Sequence, residues 1–425
     1  MFPMTEQERQ LGRRNFIKAV ATLPAAGALL WKAASLRPVT AGIIGPGGQG
    51  RVLMENCNPN FIKLVAVCDI FPPNLLRGLD IAKRNHDPNA EGHSDYRKLL
   101  ERKDIEAVLI AAPLWMHSQM AVDALQAGKH VFCEKTMAYT VDDCKKMIQA
   151  ARSARKNLQI GHQRAYNPLY HQAHELIKNG TIGEIYHVRA LWHRNGDWRR
   201  KIEDPKFDPR PWGYDSIEQL VNWRLYNKYS HGLMSELCSH QIHAINWFAG
   251  NVPQSVVGTG GVYRYKDGRE VFDHLYAIFQ YPNNLTVTYS SIQSNAYDHY
   301  YEEFMGTKGT IILGGETEAL LFMEGDRGKA SELEVKADKG GPVMEASESR
   351  GRDAAGNSVS GTGSGLSAVS AYRLELEGFA RTIRNGEPNL CDGEEGLKAA
   401  TAILKADEAV KQTKILEISQ NLYNV

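Results

Sequence analysis

Short apolar runs alternate with longer segments of helical periodicity between residues 39 and 161. The runs predict β-strands at 41–44, 64–68, 107–111, 130–133 and 158–160. Helices are predicted between them, for example at 73–85 and at 118–127, where Gly128 follows as a C-cap. Because parallel strands need helical crossovers, this alternation predicts an α/β fold with a doubly wound parallel sheet.

The hydrophobic pattern changes after Asn167. A helix is predicted at 168–178, and alternating apolar and polar positions then predict strands at 184–193, 255–265, 275–281, 285–293 and 310–313. One helix, at 233–248, interrupts these strands, and residues 282–284 form a turn between two of them. Strands without crossover helices predict a C-terminal α/β domain with an open, largely antiparallel sheet. Amphipathic helices at 372–384 and 394–411 close the chain.

The chain of 425 residues is too long for one core. We divide it into an N-terminal arm (1–36), a dinucleotide-binding domain (37–161), a domain for substrate binding and oligomerisation (162–370) and closing helices (371–425). Residues 326–367, rich in Gly, Ser and charge, are predicted to be a flexible insertion. The net charge of +1 gives no basis for nucleic-acid binding. The six cysteines lack zinc-site spacing, and Cys68 and Cys133 are predicted to be core residues.

The N-terminal arm carries Arg13 and Arg14 ahead of an apolar run at 19–31. Twin arginines before a short apolar segment resemble a Tat export signal. This resemblance implies a periplasmic or otherwise exported protein, the Tat machinery as a partner and an arm outside the fold. A retained membrane anchor and an ordinary amphipathic helix remain the alternatives.

A glycine motif follows the first predicted strand: Gly45, Gly47 and Gly50, with Gly48 and Gln49 between them. In this strand-to-helix context the first glycine forms the turn, the second admits a pyrophosphate and the third lets the helix pack on the strand. The phosphates then meet free N–H groups at a helix N-terminus. The motif predicts a dinucleotide site.

Asp69 ends the second predicted strand, nineteen residues after Gly50. A carboxylate there accepts hydrogen bonds from a ribose and repels a 2′-phosphate. Because Ile70 and Phe71 supply no cation, the sequence predicts NAD rather than NADP.

Four residues are candidates for acid–base chemistry. Lys135, after Glu134, ends the predicted strand 130–133 at the edge that faces the ligand crevice. Glu236 and His240 are four apart on the predicted helix and are expected to share a face. His231 precedes that helix and either faces the crevice or serves as a capping neighbour. His240 and His243 are alternatively candidates for zinc binding. The sequence shows no further ligands for such a site, so no metal is predicted.

Substrate contacts are predicted where the last parallel strand ends and where aromatic and basic residues cluster. Aromatic faces beside hydrogen-bonding groups suit a sugar, although packing of a sheet onto a loop is an equal alternative. The predicted contacts are His162, Arg164, Tyr166, Trp192, Arg194, Tyr229 and His243.

Over residues 39–425 the chain resembles the Gfo/Idh/MocA family of oxidoreductases. The glycine motif, Glu134-Lys135-Thr136 and Glu236-x-x-x-His240 match its motifs in order, with Thr for Pro and Glu for Asp. The resemblance implies a Rossmann domain joined to an α/β domain whose open sheet mediates homo-oligomerisation. The implied cofactor-binding residues are Gly45, Gly47, Gly48, Gln49, Gly50, Asp69, Pro113, His117, Glu134 and Lys135.

The family resemblance implies an NAD-dependent enzyme that oxidises a carbohydrate or polyol hydroxyl. With the Tat-like signal it implies an exported enzyme, and an exported enzyme must carry its NAD tightly bound, because no free pool is expected outside the cytoplasm. Lys135 and His240 would then handle the hydroxyl proton, and Glu236 would orient them. An alternative is a glycosidase of the family 109 type, which oxidises a sugar, eliminates, adds water and returns the hydride; residues 229–233 around His231 resemble part of that branch. A third reading is a non-catalytic sugar-binding protein.

Overall fold

A computed structural model describes residues 4–22, 37–324, 337–338, 341–342 and 369–425. The predicted flexible insertion at 326–367 lies outside the described residues except for two short strands, and most of the apolar run at 19–31 lies outside them too. The helices are α1 (Glu6–Ala21), α2 (Gly48–Asn56), α3 (Pro72–Asn85), α4 (Tyr96–Leu100), α5 (His117–Gln126), α6 (Val141–Ala154), α7 (Pro168–Lys178), α8 (Ile217–Val221), α9 (Ser239–Ala249), α10 (Ala371–Asn385) and α11 (Gly393–Gln412).

The first sheet has six parallel strands in the order β3-β2-β1-β4-β5-β6. These strands are β1 (Val39–Ile44), β2 (Ile62–Cys68), β3 (Glu91–His93), β4 (Ala107–Ile110), β5 (His130–Glu134) and β6 (Leu158–Gly161). The predicted doubly wound parallel sheet is therefore confirmed. The sequence missed β3, a three-residue edge strand without buried residues and so without an apolar run.

The second sheet is mixed and has the order β13-β12-β11-β7-β10-β9-β8-β16. Its neighbours pair antiparallel except β7 and β10, so the predicted open, largely antiparallel sheet is also confirmed. The remaining strands are β7 (Ile185–His193), β8 (Ser255–Gly261), β9 (His274–Gln280), β10 (Thr286–Ile292), β11 (Tyr300–Gly306), β12 (Gly309–Gly314), β13 (Glu318–Met323), the separate pair β14 (Ala337–Asp338) and β15 (Gly341–Pro342), and β16 (Leu416–Glu417).

The closing helices join the two domains. On α10, Phe379 packs against Phe132 of β5, with 6.0 Å between the ring centroids. On α11, Leu397 belongs to the core under the parallel sheet, whereas Ile403 belongs to the core under the mixed sheet. One helix therefore seals both cores and fixes the crevice between the domains.

Helix α1 packs on the mixed sheet, so the prediction that the arm lies outside the fold is wrong for Glu6–Ala21. Phe16 is buried in the core of the second domain, and Gly12 lies directly against Phe322 of β13. Arg13 donates two hydrogen bonds to Glu318, also on β13. The apolar face of α1 packs on the mixed sheet, and the local sequence pattern did not predict this contact. No helix in the described ranges combines the length and apolar character needed to span a bilayer.

Candidate cofactor and catalytic site

The glycine turn between β1 and α2 is closed by backbone contacts. Gly45 has φ of 84°, and a Cβ on it would lie 2.8 Å from the Ala111 backbone. A Cβ on Gly50 would stand 2.2 Å from the Gly45 carbonyl oxygen, so both positions exclude a side chain. A Cβ on Gly47, the N-cap of α2, would meet among the described residues only the side-chain amide of Asn74, at 3.9 Å. The turn thus leaves open the side on which the fingerprint holds a pyrophosphate.

A cavity of about 820 Å³ begins at this turn. It extends past Asp69 at the end of β2 and past Pro113 and Trp115 after β4. This is the carboxyl edge of the parallel strands, beside the β1 turn. The residues suit a dinucleotide in shape, with an open backbone turn, a carboxylate at the ribose position and an apolar wall.

Asp69 accepts a hydrogen bond from the Phe71 N–H at 2.8 Å. Burial raises the pKa of its carboxyl to about 7, although that hydrogen bond and the charges of Arg51 and Arg77 oppose the rise. Ile70 and Phe71 supply no cation, but Arg51 and Arg77 line the same cavity. Both lie on helices of the parallel-sheet domain, Arg51 on α2 and Arg77 on α3.

The end of β5 carries the proposed catalytic lysine. Glu134 accepts hydrogen bonds from Gln49 at 2.9 Å and from the Lys135 N–H at 3.1 Å, and burial raises its pKa. Lys135 Nζ donates to the backbone carbonyl of Glu236 at 2.9 Å. The Thr136 hydroxyl, where the family motif has Pro, donates to the Ser235 carbonyl. The lysine is thus held against the helix that carries His240.

His117 supports this edge from behind. Its two ring nitrogens lie 2.9 Å from the carbonyl oxygens of Thr136 and Ala112, and burial lowers its pKa. A neutral ring donates to only one of these carbonyls at a time. His117 therefore braces the loops after β4 and β5 and is absent from the cavity wall that Pro113 lines.

Glu236 lies in the π-helix Met234–Cys238, which leads directly into α9, where His240 lies. The Glu236 carboxylate accepts from Arg224 Nε at 2.7 Å and from the Ser230 hydroxyl at 3.4 Å. Burial opposes ionisation of Glu236, but the charges of Arg224 and Lys135 hold its pKa below the usual value. Its backbone carbonyl, rather than its carboxylate, orients Lys135.

His240 lies in a group of buried rings. His162 stacks on His243 with 4.3 Å between centroids, and Trp192 lies 5.4 Å from His240. Burial, with the charge of Lys135, holds the pKa values of His240 and His162 well below the usual range, and burial lowers that of His243 to about 3. All three Nδ1 atoms are buried without a hydrogen-bond partner among the described residues, whereas His243 Nε2 contacts the Cys391 thiol. The three imidazoles are therefore neutral.

Two predicted substrate contacts are corrected, because Arg164 and Tyr166 turn into the interior. Arg164 is fully buried and pairs with Glu302 and Glu316. The Tyr166 hydroxyl accepts from the Leu390 N–H at 3.2 Å and donates to the Asn389 side chain. Both follow β6, as the prediction required, but their partners come from β11, the turn after β12 and the segment before α11.

The predicted roles of Tyr229 as a substrate contact and His231 as a catalytic residue are also wrong. Tyr229 is fully buried against Trp115 and Tyr214, beneath the cavity wall. His231 Nδ1 lies 2.8 Å from an Asp407 carboxylate oxygen, and its Nε2 lies 3.0 Å from the Tyr139 carbonyl. It faces a separate surface cleft of about 340 Å³ along α11. With both nitrogens engaged there, His231 is a structural residue rather than a catalytic one.

The segment 197–226 contributes residues that were not among the predicted substrate contacts. Arg200, Trp223 and Arg224 line the cavity, opposite Trp115 from the first domain. Trp192 stacks on Tyr300 at 4.4 Å, and the Arg194 guanidinium lies 5.8 Å from the Trp198 ring centroid. The aromatic and basic composition of this stretch was visible in the sequence, but which side chains turn toward the crevice was not.

Within the described ranges, no three His, Cys, Asp or Glu side chains come together as a metal site, so the zinc alternative gains no third ligand. The described cysteines are all buried and unpaired, Cys68 and Cys133 among them, as predicted for core residues.

Two family models match the chain. Residues 39–162 match the oxidoreductase family GFO_IDH_MocA, NAD-binding Rossmann fold, and residues 174–418 match its C-terminal alpha/beta domain. Together these models cover both domains around the crevice.

The individual sequence relatives match a shorter part of the chain than the two family models do together. The chain is 32% identical to a glycosyl hydrolase family 109 protein of Shewanella baltica over 173 residues, 40% of this chain and 38% of that protein. It is 36% identical to inositol 2-dehydrogenase of Salmonella typhimurium over 169 residues, 39% of this chain and 49% of that protein. The chain thus spans less than half the length of these relatives. The structure of scyllo-inositol dehydrogenase from Lactobacillus casei with bound NAD(H) and scyllo-inositol is 22% identical, with a TM-score of 0.65 over 90% of this chain and 99% of that one, and supports the fold alone.

Proposed function

Because the chain belongs to the Gfo/Idh/MocA oxidoreductase family, we propose that it oxidises or reduces a hydroxyl-bearing carbon of a carbohydrate or polyol with bound NAD. The observation that carries the proposal is the meeting of Lys135 with the helix of His240 at the carboxyl edge of the parallel sheet. The similarity to inositol 2-dehydrogenase of Salmonella typhimurium supports the substrate class.

Different cavity residues would bind different parts of NAD. The backbone at Gly47 and Gly48 would receive the pyrophosphate, and Asp69 would accept from the adenosine ribose. When bound, the nicotinamide supplies the acceptor or donor of a hydride. The proposal includes a preference for NAD over NADP. This preference rests on the negative charge of Asp69, which repels a 2′-phosphate, whereas the positive charges of Arg51 and Arg77 attract one.

Lys135 and His240 would manage the hydroxyl proton. The Lys135 ammonium already donates one hydrogen bond to the Glu236 carbonyl, which fixes its direction and leaves two further N–H donors. Neutral His240 has a free Nδ1 that accepts from a hydroxyl, and the nearby Lys135 charge disfavours a resident proton on it. Trp192 and the rings of His162 and His243 would provide the flat walls that a sugar or polyol requires.

The direct test combines nucleotide identification with turnover. The purified protein is denatured, the released nucleotide is identified, and polyols and sugars are screened for reduction of the bound nucleotide. On the substrate found, Lys135→Ala and His240→Ala should each lower kcat by about 10²-fold or more while the dinucleotide stays bound. Lys146→Ala, an exposed lysine on α6, is the matched control. Near-normal turnover of both site variants would refute this assignment of the crevice.

A second candidate is a glycosidase that recycles its NAD, favoured by the similarity to the family 109 protein of Shewanella baltica. His231 lends it no support, because its ring is engaged with Asp407 and Tyr139. Release of the aglycone from a chromogenic glycoside without net NADH would establish this candidate. Net transfer to a second carbonyl substrate would establish the oxidoreductase.

We also propose export through the Tat pathway and homo-oligomerisation through the open sheet. Arg13-Arg14 ahead of the apolar run supports the first proposal, with a retained anchor as its variant. The outward positions Tyr276 and Ile278 on β9, exposed at 46% and 47%, support the second. Ile278→Asp should lower the mass measured by light scattering to that of the monomer, whereas an unchanged mass would exclude this face.

A further inference from the structure

The segment 197–226, here called the covering segment, belongs to the second domain but crosses the mouth of the NAD cavity. Its Phe207 ring packs edge-on against Phe71, with 5.6 Å between centroids. Its Glu203 accepts from Arg77 of α3 at 2.7 Å. These contacts tie the covering segment to the ribose end of the cavity.

Arg200 lies within this segment and reaches the glycine turn. Its backbone is fixed by Asn222, whose side chain accepts from the Arg200 N–H at 2.6 Å and donates to the Arg200 carbonyl at 3.2 Å. A guanidinium nitrogen lies 3.3 Å from the position that a Cβ on Gly48 would occupy. The side chain therefore sits over the first residues of α2, where the fingerprint receives phosphates.

Arg200 has no ion-pair partner among the described residues, whereas neighbouring Arg224 is paired with Glu236 and Arg77 with Glu203. Partial burial and the positive charges of Arg224 and Arg51 outweigh the nearby Glu236 carboxylate and lower the pKa of Arg200 to about 10, which still leaves it charged near neutral pH. An unpaired cation facing a helix N-terminus is an electrostatic arrangement completed by an anion.

We propose that Arg200 binds the pyrophosphate of NAD from the second domain, so that the covering segment must lift before the nucleotide leaves. This inference rests on the NAD binding of the proposed function. The glycine turn alone supplies neutral N–H donors, and a guanidinium adds charge-assisted hydrogen bonds with a bidentate fork. The clasp between Glu203 and Arg77 holds the same segment down at the ribose end.

The test measures nucleotide release rather than turnover. Holoprotein loaded with NADH is mixed with excess NAD, and the loss of NADH fluorescence gives the dissociation rate constant. Arg200→Ala should release NADH about 10-fold faster or more, because a hydrogen bond to a charged group is lost. Arg200→Lys keeps the positive charge but lacks the bidentate guanidinium. Its NADH dissociation rate should therefore fall between those of the wild type and Arg200→Ala. Arg210→Ala, on the same segment and paired with nearby Asp208, is the matched control.

The outcomes separate this inference from the proposed function. Dissociation of Arg200→Ala at the wild-type rate would overturn the role of Arg200 while leaving NAD binding intact. Equal acceleration in Arg210→Ala would also overturn it, because a general loosening of the segment would then explain the effect. Wild-type protein that binds no nicotinamide nucleotide would instead refute the proposed function itself.

Discussion

At the scale of single residues, Asp69 makes cofactor preference depend on pH. Its pKa is raised to about 7 by burial, so the carboxyl is charged above this pH and neutral below it. The charged form repels a 2′-phosphate, whereas the neutral form leaves Arg51 and Arg77 to attract one. The ratio of NADP to NAD dissociation constants should therefore shrink as the pH falls through about 7. Fluorescence titrations at several pH values measure it.

Asp69→Asn is the control for this prediction. It removes the titrating group at similar volume, so its ratio should be low and independent of pH across the same range. A wild-type ratio that stays constant through pH 7 would show that Asp69 does not set the preference.

The buried ion pair between Arg164 and Glu302 predicts a large effect on stability. Both side chains are almost inaccessible, and Tyr170 donates to the second carboxylate oxygen at 2.7 Å. Glu302→Ala leaves a buried guanidinium with only Glu316, so we expect the free energy of unfolding to fall by about 3–5 kcal/mol. Urea denaturation measures this. Asp208→Ala, which breaks an exposed pair with Arg210, should change it little; equal losses in both variants would contradict the argument.

The same pair shows why some residue assignments could not be made from sequence. Arg164 follows β6, where crevice residues are expected, and that placement is correct. Its carboxylate partner lies 138 positions further along the chain, in a strand that the apolar pattern did not reveal. Whether a charged side chain faces a ligand or an internal partner depends on such distant pairings, whereas the glycine turn and Lys135 are defined by their local strand ends.

At the scale of elements, the docking of α1 should be measurable by proteolysis. Phe16 anchors this helix in the second core, whereas Ile17 on the same helix is 46% exposed. Phe16→Ala should loosen α1 and speed tryptic cleavage at Arg13 and Arg14, because proteolysis follows the population of the opened state. Ile17→Ala is the matched control and should be cleaved at the wild-type rate. Equal cleavage of both variants would mean that Phe16 does not hold the helix.

Most elements could be predicted because their apolar periods are local. Five of the six strands of the parallel sheet and most of the helices appear within a few residues of their predicted positions. Strand β11 was missed because Glu302 and Glu303 interrupt its apolar pattern, although both are buried. The π-helix was missed because it differs from an α-helix in hydrogen bonding rather than in composition.

At the scale of the whole molecule, the two domains enclose one cavity, and this arrangement predicts slow exchange of the cofactor. The covering segment and α3 are tied across its mouth, and Gly48 is overlain by Arg200. The purified protein should therefore carry about one nucleotide per chain that survives dialysis and is released on denaturation, since affinity is governed mainly by dissociation. Mass spectrometry of the supernatant and activity without added NAD check this. Protein that purifies empty and needs added NAD would contradict it.

The π-helix at Met234–Cys238 makes the catalytic edge sensitive to chain length. A π-turn holds one residue more than an α-turn, so deleting one residue there would convert it to an α-turn while the helical segments on either side keep their places. No point substitution removes that residue. Libraries that vary only residue identity will therefore retain the wide turn whose Glu236 carbonyl holds Lys135, whereas single-residue deletions can remove it. An ungapped alignment to a relative with a plain α-helix here would pair the wrong residues on one side of the turn.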